Sequence, residues 1–532
     1  MFKIIESAES SGVNIWSVVS DMGSKNQGLW KELGVGKVVK GEIQKTSFQN
    51  PFDKTRNIYV FPDFPHLLKL LRNHLIDSKL TLPDGVVLDK SIIQDLLEVQ
   101  KSDLKLTFNL TQKHINVRGQ QRMKVRPAFE LFSAKVSKAI LVAFPKRKSE
   151  AEFFNLINNF SDIMNSRTNP DQYSSIFKNP YGSRYEEQNE FLSKFYHYFK
   201  NIRVGNRCQG SYPPFQKGFL IAIHSLLGLY QEMASRVHAK YIMTSRLNQD
   251  FVENSFGIIR GAGGFNMKPD QVQCINRVKR IIVGKRFNKS MATNTQSCED
   301  QTFLSSASLK CLVSAPKDMN SLNFQFPDSI QEEIDEIDTS VHIKDVNFND
   351  LSLYGRCEEG GREYVAGFIA KKLLDQYPEL ARKPSQFSPD NALWIRLLSE
   401  GGLKEPSTMW FSYFRKFEEF FEAIHPYGKV NKEYSIIARL VQLLTKNYPS
   451  VPVKVIQLYA TTRTSIRIAT INKAVESRKF LLQERRRNMN NEPEPEQVVE
   501  QTENLELDIF EEVQNVGVEG NLEELLDLLD GL

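Results

Sequence analysis

Several signatures are missing from this 532-residue chain, and each absence removes a class of protein. Its five cysteines, Cys208, Cys274, Cys298, Cys311 and Cys357, show no C-x-x-C spacing, which argues against a structural zinc site and for reduced thiols. The eight histidines form no H-E-x-x-H pair. No G-x-x-x-x-G-K-[ST] loop is present, so a plain P-loop GTPase is excluded. No apolar run approaches the roughly 20 residues that span a bilayer, and Met1 to Ser7 lacks a signal-peptide layout, so an intracellular chain with no membrane partner is expected.

Basic residues are missing from one place. From Glu492 to Leu532 there are fourteen acidic residues and no Lys or Arg, which leaves the remainder at +19 although the whole chain is only +5. A body that basic suits a polyanion, and equally a generic solvated surface. Two runs concentrate the charge: Arg277, Lys279, Arg280, Lys285, Arg286 and Lys289, then Arg478, Lys479, Arg485, Arg486 and Arg487. Such clusters neutralise phosphates, and the second also fits a nuclear-import signal. In the tail, Leu522, Leu525, Leu526 and Leu529 would form the apolar face of an amphipathic helix in an otherwise disordered segment.

Periodicity predicts a mixed α/β chain. Residues 14–19 and Asn57–Phe61 read as buried strands. A helix follows over 65–76, with Leu67, Leu68, Leu70 and Leu71 on its buried stripe. Residues 86–200 read as mostly helical, 243–260 as one helix stopped by Gly261-Ala262-Gly263-Gly264, 290–350 as a polar linker, and Tyr364 to Arg487 as helical. Asp21 directly follows the first strand, where sheets collect ligands; it is a candidate metal ligand or an ordinary helix N-cap. Asp250 and Glu253 share a helix face, where they either bind a hard cation or simply meet water.

The stretch Val19-Ser20-Asp21-Met22-Gly23 through Trp30 resembles the second catalytic aspartate motif of P element-type DNA transposases, a THAP-domain family. Phe61-Pro62-Asp63-Phe64-Pro65-His66 resembles their D-x-x-H segment, and Ser245 through Glu253 their catalytic-glutamate segment, in family order and spacing. Further matches are Asn116-Val117-Arg118, Pro214 to Gly218, Glu363 to Gly367, and Gly401-Gly402-Leu403 with Pro406-Ser407, so the resemblance covers about residues 10–420.

The resemblance implies an RNase H-like domain over 1–85 and 226–290, interrupted at 86–225 by a mostly helical GTP-binding insertion. After it would come a linker over 291–350, a helical domain over 351–487 and an acidic tail over 488–532. It further implies Asp21 and Glu253 as catalytic ligands of Mg²⁺ or Mn²⁺, with Asp63, His66 and Asp250 beside them. GTP contacts would fall on Asp103, Asn109, Lys124, Val125, Ser133, Asp162, Asn165 and Asp250. Asn109 stands where the family has a basic residue and Ser161 where it has an aromatic, for which Phe160 could substitute by moving toward the base.

The implied partners are transposon-end and target DNA and further transposase subunits, in the nucleus. The family's first aspartate precedes its counterpart of Asp21 by several tens of residues, and residues 1–20 contain no aspartate. The sheet is then expected to leave the 14–19 strand short of neighbours and the chain unable to cleave DNA alone. The competing expectation is a non-catalytic domesticated transposase or repressor that binds DNA, GTP or transposase subunits.

Overall fold

The computed structural model describes residues 1–171, 175–207, 211–262, 269–284, 328–344, 350–382, 393–398, 403–426, 428 and 436–489. The chain divides into two units, one comprising 1–97 and 109–298, the other 98–108 and 299–532. Among the described residues no helix is long and apolar enough to cross a membrane.

Unit 1 is built on a three-stranded sheet in the order β1-β5-β4, with β1 (Ser17–Ser20) parallel and β4 (Ser47–Gln49) antiparallel to β5 (Asn57–Pro62). Strand β5 is central because its run of β-branched and aromatic residues is buried on both faces; Ile58, Val60 and Phe61 are at most 1% exposed. β1 is shorter than the expected 14–19 strand and stands at the edge of this sheet, paired only with β5 among the described residues. A hairpin of β2 (Val38–Val39) and β3 (Glu42–Ile43) and a small sheet of β7 (Val87–Leu88), β6 (Leu80–Thr81) and β8 (Arg203–Val204) complete the strands.

Helices α1 (Phe2–Ser10) and α2 (Ser24–Glu32) flank β1, and α3 (Phe64–Asp77) leaves the end of β5. Helices α4 (Ser91–Glu98), α5 (Arg126–Leu131), α6 (Ala134–Ala143), α7 (Lys148–Met164) and α8 (Tyr185–Asn201) follow, with 99–125 largely irregular rather than helical. The long α9 (Pro214–Val237) packs on β5 and α3. Two of its glycines permit this approach: a Cβ at Gly218 would lie 2.4 Å from Leu67, and one at Gly228 would lie 2.5 Å from the Tyr59 ring. Ser225 Oγ donates to Val60 O (2.7 Å), and Glu232 accepts from the Tyr59 hydroxyl (3.0 Å). Leu67, Leu68 and Leu71 of α3 are buried, but Leu70 is only half-buried, and the buried register goes instead to Lys69.

Helix α10 (Asp250–Gly261) starts seven residues later than the 243–260 reading, after a single 3₁₀ turn at Thr244–Arg246. The Gln249 N–H is taken by Asp63 and the Asp250 N–H by Asn248 Oδ1, so the chain turns there before it can coil. Helix α11 (Gln271–Gly284) follows; Arg277 is buried and donates to the carbonyls of Ile259 and Arg260 at the end of α10. It therefore closes a helix C-terminus instead of offering itself to a phosphate. Lys279 and Arg280 are exposed on α11, while Lys285, Arg286 and Lys289 lie outside the described residues, as does the acidic tail from 490.

Unit 2 is helical: α12 (Asp328–Asp335), α13 (Leu353–Leu373), α14 (Leu393–Leu398), α15 (Thr408–Ile424), α16 (Ile436–Asn447) and α17 (Val453–Met489). Helix α12 lies within the stretch expected to be linker, and α13 begins well before Tyr364, where Ser352 caps it. The aromatic face of α15, with Trp410, Phe414, Phe417 and Phe421, packs against Tyr448 and Tyr459.

Segment 98–108 belongs to this unit. A Cβ at Gly361 would lie 2.6 Å from the Leu104 backbone, so the Gly360-Gly361 pair in α13 is a groove for that segment. Beside it Asp103, 2% exposed, accepts from Arg463 (3.2 Å) and from Arg467, which also reach Glu422, while Glu418 holds Arg463.

Removing one member of a buried ion cluster strands the others in low dielectric. Asp103→Ala is expected to destabilise unit 2 by about 3 kcal/mol in denaturant unfolding. A second group ties stability to pH. Glu363 is 1% exposed and accepts from the Trp394 and Ile395 N–H groups, and burial pushes its pKa up from 4.5 to about 8. A raised folded-state pKa means the contribution is full below the unfolded value and is lost as pH rises toward about 8. Unfolding free energy of the wild type is expected to fall across that window, and Glu363→Gln to flatten the profile.

Candidate active site

Because β1 and β5 run parallel, both carboxyl ends open at the same edge of the sheet, and the Asp63 N–H donates to Ser20 O (2.8 Å). That places Asp21, just past β1, beside Asp63, just past β5. Asp21 is not a helix N-cap: the cap of α2 is Gly23. Instead Asp21 Oδ1 accepts from the Gly23 N–H (2.9 Å) and the Asn26 amide (2.7 Å), and its Oδ2 has no partner among the described residues. Partial burial raises the Asp21 pKa, but these two donors and the nearby His66 and Lys69 outweigh it and hold the carboxyl below its usual value.

Asp63 is 2% exposed and fully engaged. Its Oδ2 caps α3 by accepting from the His66 N–H (3.2 Å) and lies 2.7 Å from His66 Nδ1; its Oδ1 accepts from the Gln249 N–H (2.6 Å). The residue therefore joins β5, α3 and the start of α10. The other edge of the His66 ring, Nε2, lies 3.7 Å from Glu253 Oε1. Glu253 sits in the first turn of α10, with its side chain 33% exposed and accepting no hydrogen bond among the described residues. Asp21, His66 and Glu253, from three separate elements, thus share one site.

Asp250 faces elsewhere. It pairs with Arg167 (3.0 Å), whose guanidinium also donates to Asn165 Oδ1 (3.1 Å) in the loop after α7. Burial raises the Asp250 pKa, and the negative charges of Asp63 and Glu253 add to this against Arg167.

One buried charged side chain near these acids escaped the sequence reading. Lys69, one turn along α3 from His66, is 4% exposed, and burial lowers its pKa against the attraction of Glu253, Asp63 and Asp21. The available signal was a lysine at i+3 from His66 within a leucine-rich helix.

The expected nucleotide contacts are only partly gathered. Asn158 links two of them: its Oδ1 accepts from the Ala134 N–H beside Ser133, and its amide donates to Asp162 (3.2 Å). Asn165 follows at the end of α7. Arg72, on α3, donates to the carbonyls of Lys124 (3.1 Å) and Arg122 (2.8 Å), which fixes the Lys124–Val125 turn with Lys124 exposed and Val125 buried. Asn109 is exposed. Asp103 belongs to unit 2, where its Oδ2 accepts from Arg463 and Arg467. Phe160 is not free to move toward a base, since it is 0% exposed, stacks on Phe195 at 4.0 Å and meets Phe64 and Phe219 edge-on. Ser161 is buried and bonds back to Ile157 O.

As a metal centre the arrangement is open. No group of three or more His, Cys, Asp or Glu side chains that could hold a metal ion occurs among the described residues. Asp21 Oδ2 and Glu253 are two hard oxygen donors, which suit Mg²⁺ when phosphate oxygens or a further donor complete the shell.

Residues 65–180 match the family described as TNP-like, GTP-binding insertion domain. The chain is 30% identical over 480 residues to the Transposable element P transposase of Drosophila melanogaster, covering 89% of this chain and 60% of that protein. It is 26% identical over 263 residues to the human DNA transposase THAP9, covering 47% of this chain and 28% of that one. A solved Drosophila P element transposase strand transfer complex aligns with a TM-score of 0.49 at 35% identity, over 54% of this chain and 64% of that one. The chain spans less than two thirds of the length of these curated relatives. Both relatives are transposases by name, and the domain match falls between β5 and α8. These matches make the chain similar to P element-type transposases over most of its residues.

Helix α10 buries only Gly257, so its first turn is held by ties rather than packing: Gln249 to Asp63 and Asp250 to Arg167. Arg167→Ala is expected to accelerate amide hydrogen exchange through residues 250–256 while leaving α3 protected, read by exchange mass spectrometry.

Proposed function

We propose that this chain is a P element-like transposase polypeptide. In this reading unit 1 is an RNase H-like catalytic domain interrupted by a GTP-binding insertion, and the substrate is DNA. The observation that carries it is the convergence of Asp21, His66 and Glu253 at the shared carboxyl edge of parallel β1 and β5. Divalent metal ions, when bound, would polarise the scissile phosphate and activate the attacking oxygen. Asp21 and Glu253 would hold them. Asp63 would orient His66 and fix the entry to α10, and His66 would set the Glu253 carboxylate. GTP would lie against Ser133, Asp162 and Asn165, with Lys124 as a phosphate contact. DNA would be the polyanion met by the basic body, in the nucleus, with further transposase subunits as partners.

A second reading is supported by the two-carboxylate count: a DNA-, GTP- or subunit-binding member of the family that performs no chemistry by itself. Two donors instead of three leave the metal dependent on ligands from elsewhere, so duplex DNA should strengthen metal uptake. Titration of the purified chain with Mn²⁺, followed by electron paramagnetic resonance with and without duplex DNA, tests this. Uptake is expected mainly with DNA. Asp21→Asn or Glu253→Gln is expected to weaken it by about 100-fold or more, beyond the roughly 10–100-fold loss seen on removing a supporting group. No Mn²⁺ uptake under either condition would sink the metal reading. Mg²⁺-dependent, Glu253-dependent nicking by the chain alone would sink the binding-only reading.

A further inference from the structure

A lysine removed from water needs a partner or a task, because an uncompensated buried charge is costly. Lys69 is 4% exposed, lies on the first turns of α3, and feels the charges of Glu253, Asp63 and Asp21. Yet among the described residues it closes no ion pair and donates no hydrogen bond. The carboxylates are partly spoken for. Asp63 uses both oxygens on His66 and Gln249, and Asp21 uses one on Gly23 and Asn26. The ammonium thus lies within the field of three acids without pairing with any of them among the described residues.

We propose that Lys69 is a catalytic residue of this site: its ammonium donates to a non-bridging oxygen of the phosphodiester that reacts there, and in the unloaded site it is the counter-cation of Asp21, Asp63 and Glu253. The proposal rests on the metal-dependent DNA reading above. Cations on Asp21 and Glu253 would cancel the charges that now attract Lys69, leaving its three donors for a phosphate oxygen. A compact ammonium serves such an oxygen as a point charge. In the strand reaction a new P–O bond forms to the attacking oxygen, whose proton passes to water, and the bond to the leaving oxygen breaks with its electron pair staying on that oxygen. Lys69 keeps all its protons and stabilises the charge on the non-bridging oxygens.

The test uses the full chain as wild type, Lys69→Met and Lys69→Arg. Methionine is apolar and of similar length, so folding is expected to survive, and thermal unfolding checks it. Without DNA, Lys69→Met is expected to take up Mn²⁺ about tenfold more tightly, because a like charge has gone. With a duplex of arbitrary sequence, Mn²⁺ is expected to tighten DNA binding by the wild type and by Lys69→Arg. Lys69→Met should lose that metal-linked gain by about tenfold. A lysine that only supports the fold would produce neither effect, and a simple counter-ion would produce the first alone; either result overturns the proposal. Wild-type Mn²⁺ uptake that Lys69→Met leaves unchanged overturns this inference and spares the functional reading. No uptake by any variant removes both.

Discussion

The buried carboxylate of Asp63 is the constraint on which the site depends. One oxygen starts α3 and the other receives the Gln249 N–H from a segment 186 residues away. A charge-assisted bond to a backbone N–H in a water-poor setting is among the stronger neutral-to-ion contacts available to a chain. It determines where α10 begins, and so where Glu253 stands relative to Asp21. Nothing comparable comes from packing, since α10 buries only Gly257. The accuracy of the site therefore resides in a few polar ties, and the hydrophobic core acts one step earlier by fixing β5 and α3.

That earlier step is the work of α9. Gly218 and Gly228 let the helix approach Leu67 and Tyr59 more closely than any residue with a Cβ could. Glycine inside a helix costs about 1 kcal/mol relative to alanine, and here the cost is offset by burial of the β5 and α3 side chains. The same device recurs in unit 2, where Gly360 and Gly361 admit segment 98–108. There an ionic cluster of Asp103, Arg463, Arg467, Glu418 and Glu422 adds direction that apolar packing lacks. Burial raises the Glu418 carboxyl and the adjacent Arg463 guanidinium more than reverses it, so Glu418 is held as an ion.

The legible parts of the sequence were those with a local physical signature. β5 and α3 were foreseen nearly to the residue because each carries a dense apolar run. The motifs singled out Asp21, His66 and Glu253, and the fold sets His66 beside Glu253 at the edge of the sheet that Asp21 follows. What failed was decided at long range. The start of α10 depends on Asp63, far away in sequence, and periodicity alone ran the helix back to 243. Asp103 looks like any loop aspartate until α17 brings two arginines to it. Phe160 looked mobile beside Ser161, whereas stacking with Phe195 commits it to the core. Lys69 was hidden because a leucine stripe does not reveal which polar residue of the same helix also turns inward.

Two stretches of the segment after α4 meet α3 and α10 through different contacts. Arg72 on α3 holds the Lys124 turn, and Arg167 after α7 holds Asp250 on α10. A ligand lodged between Lys124 and Asn165 would thus act on α3 and α10 together. These are the two helices that carry His66, Lys69 and Glu253. Because α10 buries only Gly257, a shift at Arg167 would be opposed at the start of the helix mainly by the Gln249–Asp63 bond.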